Sequence, residues 1–305
     1  MKLLIATEKP FSKVAVDGIK CVADEAGYEL ALLEKYTEKG QLLEAVADAD
    51  ALIVRSDKVD AEVVAAAKRL KIVVRAGAGF DNLDLEACTK AGVCAMNTPG
   101  QNANSVAELV FGLLVMAVRN FYNGTSGTEL KGKKLGILAF GNVGRNVARI
   151  AAGFGMEVMA YDAFCPAEAI EAAGVKAMAS QAELFKEADI VSLHIPATAE
   201  TKQSINYDLC STMKKGAILI NTARKEVIDE AGLLKLLAER TDLKYITDIK
   251  PDADAEFAAF EGRYFSTPKK MGAQTAEANS NAGIAAANQI NAYFADGCTK
   301  FQVNK

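Results

Sequence analysis

The residues that follow the apolar run at 134–138 have the types and spacing of a phosphate-binding turn. The run leads into Gly141 and Gly144, which match the second and third glycines of the pattern G-x-G-x-x-G. Gly141 would let the backbone approach a pyrophosphate, and Gly144 would let a helix pack closely on the strand. That helix starts near Asn142, so the N–H groups of Asn142 and Val143 and the positive helix end would face the phosphates.

Two further positions belong to the same pattern. Ala139 stands where the first glycine is expected, and a methyl group fits that tight turn only if φ stays negative. A second apolar run at 157–161 ends at Asp162, which lies 18 residues after Gly144. A carboxylate there binds a ribose 2′-hydroxyl and repels a 2′-phosphate, which favours NAD over NADP. The alternative is a structural βαβ unit with a solvated aspartate.

Composition excludes several classes of function. The 305 residues suggest two domains at about 150 residues each. Lys and Arg number 35 against 39 Asp and Glu, a net charge of −4, which argues against general nucleic-acid binding although a local basic pocket remains possible. The most apolar stretch, 106–118, contains Glu108 and is too short to cross a membrane. The N-terminus lacks the features of a signal peptide.

Cysteine and histidine content limits the chemistry further. There is one histidine, so a mechanism that needs two is excluded. The six cysteines form no C-x-x-C pair, so we expect no metal site. Scattered thiols in a chain of this length are typical of small buried residues in a reducing compartment, which predicts a cytoplasmic protein.

Strand and helix patterns alternate along the chain and predict a doubly wound α/β fold with parallel sheets. The predicted strands are 2–6, 51–55, 71–75, 93–97, 134–140, 157–161, 189–194, 217–221 and 244–248. The predicted helices include 61–68, 104–119, 142–154, 182–187, 230–239 and 276–294. Natural breaks fall near residues 97–100 and near Gly272.

The chain resembles the D-isomer-specific 2-hydroxyacid dehydrogenases over nearly its whole length. The segments that carry the resemblance are 51–59, 73–100, 105–109 (SVAEL), 127–138, 192–196 (SLHIP), 218–230 and 267–278. The resemblance implies a Rossmann NAD-binding domain, residues 98–275, inserted in a flavodoxin-like substrate domain, residues 1–97 and 276–305, with the active site in the cleft. Since the chain stops at 305, we expect no additional C-terminal regulatory domain.

The resemblance also implies catalytic residues. Arg224 matches the family's catalytic arginine, whose planar fork suits bidentate capture of a carboxylate. Lys270 stands where the family has its acid/base histidine, with Lys269 as an insertion, and a lysine base needs its pKa lowered from about 10.4 to about 7–8 by burial or nearby cations. The family's partner glutamate falls at Ala253 and is therefore missing or shifted. The alternative is that both lysines are phosphate or surface contacts.

Other positions are implied to surround the cofactor. The sole histidine, His194, lies in a segment that the family places beside the cofactor. The cofactor positions implied in addition to the glycine turn are His194, Ile195, Pro196, Thr222, Ala223 and Asp248. Asp248 could instead be structural.

Two arginines are candidates for holding the substrate. Arg55 and Arg75 match family positions that contact a phosphorylated substrate, and the adjoining Ala76 and Gly77 begin a loop whose N–H groups could approach a carboxylate. A structural role for each arginine remains open. The implied activity is NAD-dependent oxidation of D-3-phosphoglycerate to 3-phosphohydroxypyruvate, the first step of L-serine biosynthesis.

Two alternatives to this activity remain open. One is a dehydrogenase for another D-2-hydroxyacid, of the glyoxylate or hydroxypyruvate reductase type. The other is an NAD-sensing binding protein, which would suit the loss of both the histidine and the glutamate. The apolar helix at 106–118 and the family's habit suggest a homodimer, and a buried core helix is the alternative.

Overall fold

A computed structural model describes residues 1–304 of the chain, which forms two compact units. Unit 1 consists of Met1–Asn102 and Gln274–Lys305, and unit 2 consists of Ala103–Ala273. In sequence, unit 2 is therefore inserted into unit 1.

The helices and strands alternate through both units. The strands are β1 (Lys2–Thr7), β2 (Glu29–Glu34), β3 (Ala51–Val54), β4 (Ile72–Arg75), β5 (Cys94–Asn97), β6 (Lys134–Leu138), β7 (Glu157–Tyr161), β8 (Lys176–Ala177), β9 (Ile190–Leu193), β10 (Ile218–Asn221), β11 (Lys244–Thr247) and β12 (Tyr264–Ser266). The α-helices are α1 (Lys13–Glu25), α2 (Lys39–Val46), α3 (Ala61–Ala66), α4 (Leu85–Lys90), α5 (Ala103–Val118), α6 (Asn142–Gly153), α7 (Ala167–Glu171), α8 (Gln181–Glu187), α9 (Tyr207–Ser211), α10 (Glu230–Glu239), α11 (Asp254–Ala258) and α12 (Ala276–Asp296).

Unit 1 is built on a five-stranded sheet with the order β2-β1-β3-β4-β5, and all of its strand pairs are parallel. Helices α1 and α12 pack on one face through Ala15, Ile19 and Ala286. Helices α2 to α4 cover the other face. This is the flavodoxin-like order, with helices on both faces of a buried sheet.

Unit 2 is built on a seven-stranded parallel sheet with the order β12-β11-β10-β9-β6-β7-β8. Helices α5 and α6 pack on one face, and α8, α9 and α10 pack on the other. This order extends that of dinucleotide-binding folds by one strand. The predicted fold class, two parallel-sheet α/β domains, is confirmed.

Polar side chains start most helices because they accept the N–H groups that the first turn leaves without partners. The N-cap side chains that accept such a bond are Ser12, Asp60, Asp84, Ser180, Asn206, Asp229 and Thr275. At the far end of α12, Gly297 takes a left-handed conformation with φ of 66° and ends the helix.

The sequence prediction differs from the structure mainly at sheet edges. All nine predicted strands exist, and each end lies within two residues of its predicted place, but β2, β8 and β12 were missed. β2 lies at the edge of its sheet and is half exposed, with Leu32 50% exposed, so it lacks the continuous apolar run of a buried strand. The remaining two are short, at two and three residues.

Two other observations concern the surface. Within residues 1–304, no helix combines the length and apolar composition that crossing a membrane requires. The prediction that the cysteines are buried is wrong for half of them: Cys88, Cys94 and Cys210 are buried, whereas Cys21 is exposed and Cys165 and Cys298 are partly exposed. These three lie on a helix face or in loops that the core does not cover.

Candidate active site

The crevice in unit 2 lies where β6 and β9 are neighbours, because the chain continues from these strands toward opposite edges of the sheet. Ligands of open α/β sheets bind at such a point, outside the carboxyl ends of the strands. The predicted site residues of unit 2 follow these ends: the glycine turn follows β6, Asp162 follows β7, residues 194–196 follow β9, 222–224 follow β10, Asp248 follows β11 and 267–272 follow β12.

The glycine turn has the geometry that a phosphate requires. Gly141 is the N-cap of α6 and accepts a bond from the N–H of Arg145, and no atom lies within 4 Å of the place where a Cβ would stand. A Cβ on Gly144 would overlap the carbonyl oxygen of Ala139, so only glycine lets α6 pack this closely. Asn142 and Val143 form the first turn of α6, with Asn142 exposed.

Ala139 departs from the prediction. Its φ is +77°, in the left-handed region, whereas we expected a methyl group to be tolerated only at negative φ. The turn holds Ala139 there because its N–H bonds to the Tyr161 carbonyl and its own carbonyl abuts Gly144. The backbone therefore carries strain at the position where the pattern has a glycine.

Asp162 accepts hydrogen bonds from the backbone of two turns, those that follow β6 and β7. One carboxylate oxygen accepts the N–H of Phe140 at 2.6 Å, and the other accepts those of Phe164 at 2.7 Å and Cys165 at 2.9 Å. Burial alone would raise the pKa of Asp162, but these backbone bonds and the charge of Arg145 outweigh it and lower the pKa. A charged carboxylate thus stands beside the glycine turn.

The sole histidine follows β9 and is neutral. Its Nε2 lies 2.8 Å from the hydroxyl of Ser192, which is fully buried. Part of His194 reaches the surface, but burial of the ring lowers its pKa to about 3. The imidazole therefore carries no charge near neutral pH. Ile195 packs on the apolar cluster of that sheet face, and the Pro196 carbonyl accepts the Thr201 hydroxyl.

The turn after β10 is held by Asn221, which is buried. The Asn221 side chain donates to the Arg224 carbonyl and accepts the Ala223 N–H, each at 2.9 Å. Between them, the Thr222 hydroxyl is buried and has no hydrogen-bond partner within residues 1–304. A buried polar atom without a partner calls for a ligand. Together with the open space at Gly141 and the charge of Asp162, it fits a dinucleotide.

Arg224 and Lys270 converge on one atom. Arg224 Nη1 donates to the carbonyl oxygen of Ala223 at 2.9 Å, and Lys270 Nζ donates to the same oxygen at 3.4 Å. The two cations therefore lie side by side. Lys270 is exposed, so it lacks the burial that was one of the two expected ways to lower the pKa of a lysine base. The other expected factor, a neighbouring cation, is present as Arg224. Lys269 is also exposed and makes no side-chain hydrogen bond to residues 1–304.

Asp248 fixes the loop that carries Lys270. It is fully buried, and one of its oxygens accepts the Thr267 hydroxyl and the Met271 N–H, both at 2.8 Å. The other oxygen accepts the Gly272 N–H at 2.7 Å. These bonds give Asp248 the structural role that the sequence left open beside cofactor binding.

Asp252 and Asp254 flank Ala253, the position where the family has its glutamate, and both are engaged elsewhere. Asp252 pairs with Lys225 at 2.5 Å, and Asp254 accepts the Tyr264 hydroxyl and pairs with Lys250 at 2.9 Å. Both carboxylates thus have other partners. Among residues 1–304, no three His, Cys, Asp or Glu side chains are grouped as metal ligands.

In unit 1, Arg55 is largely committed to its own unit. Its guanidinium donates to the carbonyls of Lys9 and Pro10 and to the Asn279 side chain, and it lies 5.2 Å from the centre of the Phe11 ring. Burial lowers its pKa, and the charge of Asp57 opposes this shift. These contacts favour a structural role for much of the side chain.

Arg75 lies across the loop that follows β4. Its Nε donates to the Arg55 carbonyl at 2.9 Å, and a Cβ on Gly77 would overlap its guanidinium. Gly77 has a φ of +150°, which other residues rarely adopt. The buried Ala76 bonds through its N–H to the Val54 carbonyl, so the loop is anchored to the sheet. Arg55 follows β3 and Arg75 ends the neighbouring β4, so both stand at the carboxyl ends of strands in this sheet.

Three residues that hold the site were missed from the sequence. They are Asn221, Thr267 and Ser105, whose hydroxyl donates to the Gly272 carbonyl at 2.5 Å. All three stand within segments already linked to the family, and Asn221 directly precedes the chosen Thr222. Their buried partners could be found only once the strand ends were brought together.

Comparison with known proteins identifies the family of this chain. Residues 113–262 match the sequence model described as D-isomer specific 2-hydroxyacid dehydrogenase, NAD binding domain. The chain is 37% identical over 291 residues to a D-3-phosphoglycerate dehydrogenase of Methanocaldococcus jannaschii, covering 90% of this chain and 55% of that protein. The chain thus spans about half the length of this relative.

Two further comparisons cover most of both chains. A hydroxypyruvate reductase of Thermotoga maritima is 36% identical over 285 residues, which cover 86% of this chain and 90% of that protein. The crystal structure of an NAD⁺-bound 3-phosphoglycerate dehydrogenase of Entamoeba histolytica is 47% identical, with a TM-score of 0.86, and the match covers 100% of this chain and 99% of that one. Family and cofactor thus rest on agreement in both sequence and structure.

Replacing Ala139 with glycine should stabilise unit 2. Glycine adopts the φ of +77° without the clash of a Cβ, which outweighs its larger unfolded-state entropy, so we expect a gain of about 0.5–1 kcal/mol. The matched control is Ala172→Gly, at an exposed helix end with φ of −59°, which should instead lose about 0.5–1 kcal/mol. Urea unfolding measures both, and a loss with Ala139→Gly would show that the turn is unstrained.

His194 should make stability depend on pH below neutrality. The unfolded state binds a proton near pH 6.5, whereas the folded state binds it only near pH 3, so stability falls as the pH drops between these values. From about pH 7 to about pH 5 the wild type should lose about 2 kcal/mol more than His194→Asn. Since there is no other histidine, equal losses in denaturant titrations would contradict a neutral buried ring.

Removing the Asp248 carboxylate should loosen the loop. Asp248→Ala leaves the N–H groups of Met271 and Gly272 and the Thr267 hydroxyl without their acceptor, which should cost about 2–5 kcal/mol of unfolding free energy. Asp252→Ala, which removes an exposed carboxylate of the same segment, should cost less than about 1 kcal/mol. Equal effects in chemical denaturation would argue against the clamp.

Proposed function

Because the chain belongs to the D-isomer-specific 2-hydroxyacid dehydrogenase family, we propose that it is an NAD-dependent dehydrogenase that oxidises D-3-phosphoglycerate to 3-phosphohydroxypyruvate. This places it at the first step of L-serine biosynthesis. The observation that carries the proposal is the convergence of Arg224 and Lys270 on the Ala223 carbonyl, at the carboxyl ends of the strands that form the crevice.

The residues of unit 2 account for binding the cofactor. The first turn of α6 and the glycine turn hold the pyrophosphate, Asp162 accepts the ribose hydroxyls, and the Thr222 hydroxyl gains the partner that it lacks. When bound, NAD supplies the acceptor for the hydride from C2 of the substrate. We assign cofactor binding to residues 98–275 and substrate binding to 1–97 and 276–305.

Arg224 and Lys270 divide the remaining chemistry. The Arg224 guanidinium holds the substrate's α-carboxylate in a bidentate pair, which fixes the hydroxyl-bearing carbon. Lys270 Nζ, in its neutral form, accepts the proton of the C2 hydroxyl as the C2–H bond breaks, so the alcohol becomes a ketone. The adjacent Arg224 charge favours the neutral amine. His194, neutral and bonded to Ser192, takes no part in this proton transfer.

We assign recognition of the substrate phosphate to Arg75, with Arg55 supporting it through the carbonyl that receives Arg75 Nε. Arg75 presents its guanidinium over the Gly77 backbone, where only glycine leaves room. A planar fork suits a phosphate in a chain of net acidic charge.

A second candidate function is reduction of hydroxypyruvate or glyoxylate. It is favoured by the hydroxypyruvate reductase of Thermotoga maritima, of which this chain covers 90%, against 55% of the archaeal phosphoglycerate dehydrogenase. The commitment of Arg55 to carbonyls of its own unit also fits a substrate without a phosphate.

We further propose a homodimer in the cytoplasm. Leu109, Val115 and Met116 are only partly buried and leave some apolar surface along α5 that a second copy could cover. The six cysteines are all free thiols, which suits a reducing compartment.

The decisive test is NADH formation with D-3-phosphoglycerate and, separately, D-glycerate, from about pH 6 to about pH 10. The phosphorylated substrate should give the higher kcat/KM. The rate with it should rise toward alkaline pH. Lys270→Ala should lower kcat about 10²–10⁴-fold and remove that rise. Lys250→Ala, an exposed lysine nearby, is the matched control.

Each alternative has its own outcome. Loss of the alkaline rise in Lys269→Ala but not in Lys270→Ala would move the base to Lys269. Equal or faster turnover of D-glycerate would favour the second candidate. NADH binding without turnover of either substrate would favour an NAD-sensing binding protein, and unchanged turnover in Lys270→Ala would overturn the lysine mechanism.

A further inference from the structure

A second polar cavity lies at the amino ends of the strands of unit 2, opposite the crevice. Its volume is about 380 Å³. Lys133 precedes β6, Lys215 precedes β10 and Lys244 begins β11, so three lysines from different strand starts line one space. Asn120, Ser126 and Thr128 add an amide and two hydroxyls. Nothing in the proposed catalysis uses these residues.

Lys244 is the most constrained of the three. Its Nζ donates to the Ala117 carbonyl at 2.8 Å and to the Asn120 side chain at 3.1 Å, and it lies 5.6 Å from the centre of the Phe121 ring. No Asp or Glu of residues 1–304 lies within 4 Å of it. Burial lowers the pKa of Lys244. A half-buried ammonium without a counter-charge is costly, so an anion at this place would stabilise it.

The two carboxylates that line the cavity do not supply that counter-charge. Asp189 pairs with Lys214 at 3.1 Å and accepts the Lys134 N–H. Asp242 pairs with Arg240 at 2.6 Å and accepts the Gly216 N–H. Each is thus neutralised by another cation.

The remaining lysines of the cavity form no close ion pair, although the charge of Lys133 helps to lower the pKa of Asp189. In the part of the chain that the structure describes, neither Lys133 nor Lys215 forms a side-chain hydrogen bond or a salt bridge. Together with Lys244 they leave three positive charges around one space in a protein whose overall charge is negative. This local excess is what a polyvalent anion would neutralise.

The backbone beside the cavity is strained. Asn120, Phe121 and Tyr122 have φ of 49°, 54° and 58°, three successive left-handed residues of which none is glycine. The Asn120 amide nitrogen is held by the Thr125 hydroxyl and the Ser126 carbonyl, which leaves its oxygen on Lys244. Strain of this kind gathers at ligand clamps, and here it fixes the wall of the cavity.

We propose that this cavity binds a small divalent tetrahedral oxyanion, such as a phosphate group, between Lys133, Lys215 and Lys244. The hydroxyls of Ser126 and Thr128 lie where they would donate to the remaining oxygens. The site is separate from the crevice because Lys244 and Asp248 lie at opposite ends of β11. It stands whether or not the chain oxidises D-3-phosphoglycerate.

The test is a titration of the protein with inorganic phosphate in the presence of saturating NADH, at ionic strength held constant with sodium chloride. The midpoint of thermal unfolding should rise to a plateau, because a ligand that binds only the folded state stabilises it. Lys133→Ala and Lys215→Ala, at least partly exposed positions where folding is not at risk, should each raise the apparent Kd about tenfold. Lys244→Met should abolish the plateau.

Two controls locate the effect. Lys186→Ala removes an exposed lysine of the same unit and should leave the Kd unchanged. Arg75→Ala, in unit 1, should also leave it unchanged, which separates this site from the proposed phosphate contact of the substrate. Sulfate should compete with phosphate.

The opposite results would overturn the proposal. Unaltered binding in both Lys133→Ala and Lys215→Ala, or a loss of binding in Arg75→Ala alone, would place the anion elsewhere. A rise without a plateau, equal in all variants, would mean an adventitious ion only.

Discussion

The buried carboxylate of Asp248 determines how the loop after β12 is arranged at the carboxyl ends of the strands in unit 2. A carboxylate that is fully buried is stable only when donors surround it, and Asp248 takes the Met271 and Gly272 N–H groups and the Thr267 hydroxyl. The loop from 267 to 272 is therefore folded around the end of β11. Lys270 lies within that loop, so its reach toward the Ala223 carbonyl is a consequence of the Asp248 contacts. On the neighbouring strand, the Asn221 side chain likewise holds the turn that carries Arg224.

Much of this arrangement was predictable from the sequence, and the reason is the parallel sheet. Strands that are buried on both faces appear in the sequence as continuous apolar runs, so their ends could be predicted within two residues. Ligands of such sheets bind at the carboxyl ends of the strands, so the site residues could be sought there. The edge strand β2 lacks such a run because half of its side chains face outward. A prediction that relies on continuous apolar runs therefore misses edge strands and short strands.

The features that could not be predicted depend on contacts between distant residues. The positive φ of Ala139 is set by its contacts with Gly144 and Tyr161, which close the turn around it. The local conformational preference of alanine does not predict this value. The commitment of Arg55 depends on Asn279, which lies 224 residues away in the chain. In both cases the residue type predicted roughly where the side chain would lie. The hydrogen-bond partners that decide its role are visible only in the folded structure.

Contacts between distant residues also bear on the proposed role of Lys270 as a base. A histidine base needs a carboxylate to orient its ring, whereas an ammonium beside a carboxylate would hold its proton more tightly. Asp252 and Asp254 are engaged by Lys225 and Lys250, and the Arg224 guanidinium lies beside Lys270. In the mechanism that we propose, a lysine in place of the family's histidine is consistent with Ala253 in place of the glutamate that would orient an imidazole. Because Lys270 is exposed, the proposed mechanism relies on neighbouring positive charge rather than on burial: the charge of Arg224 and, when the cofactor is bound, that of an oxidised nicotinamide.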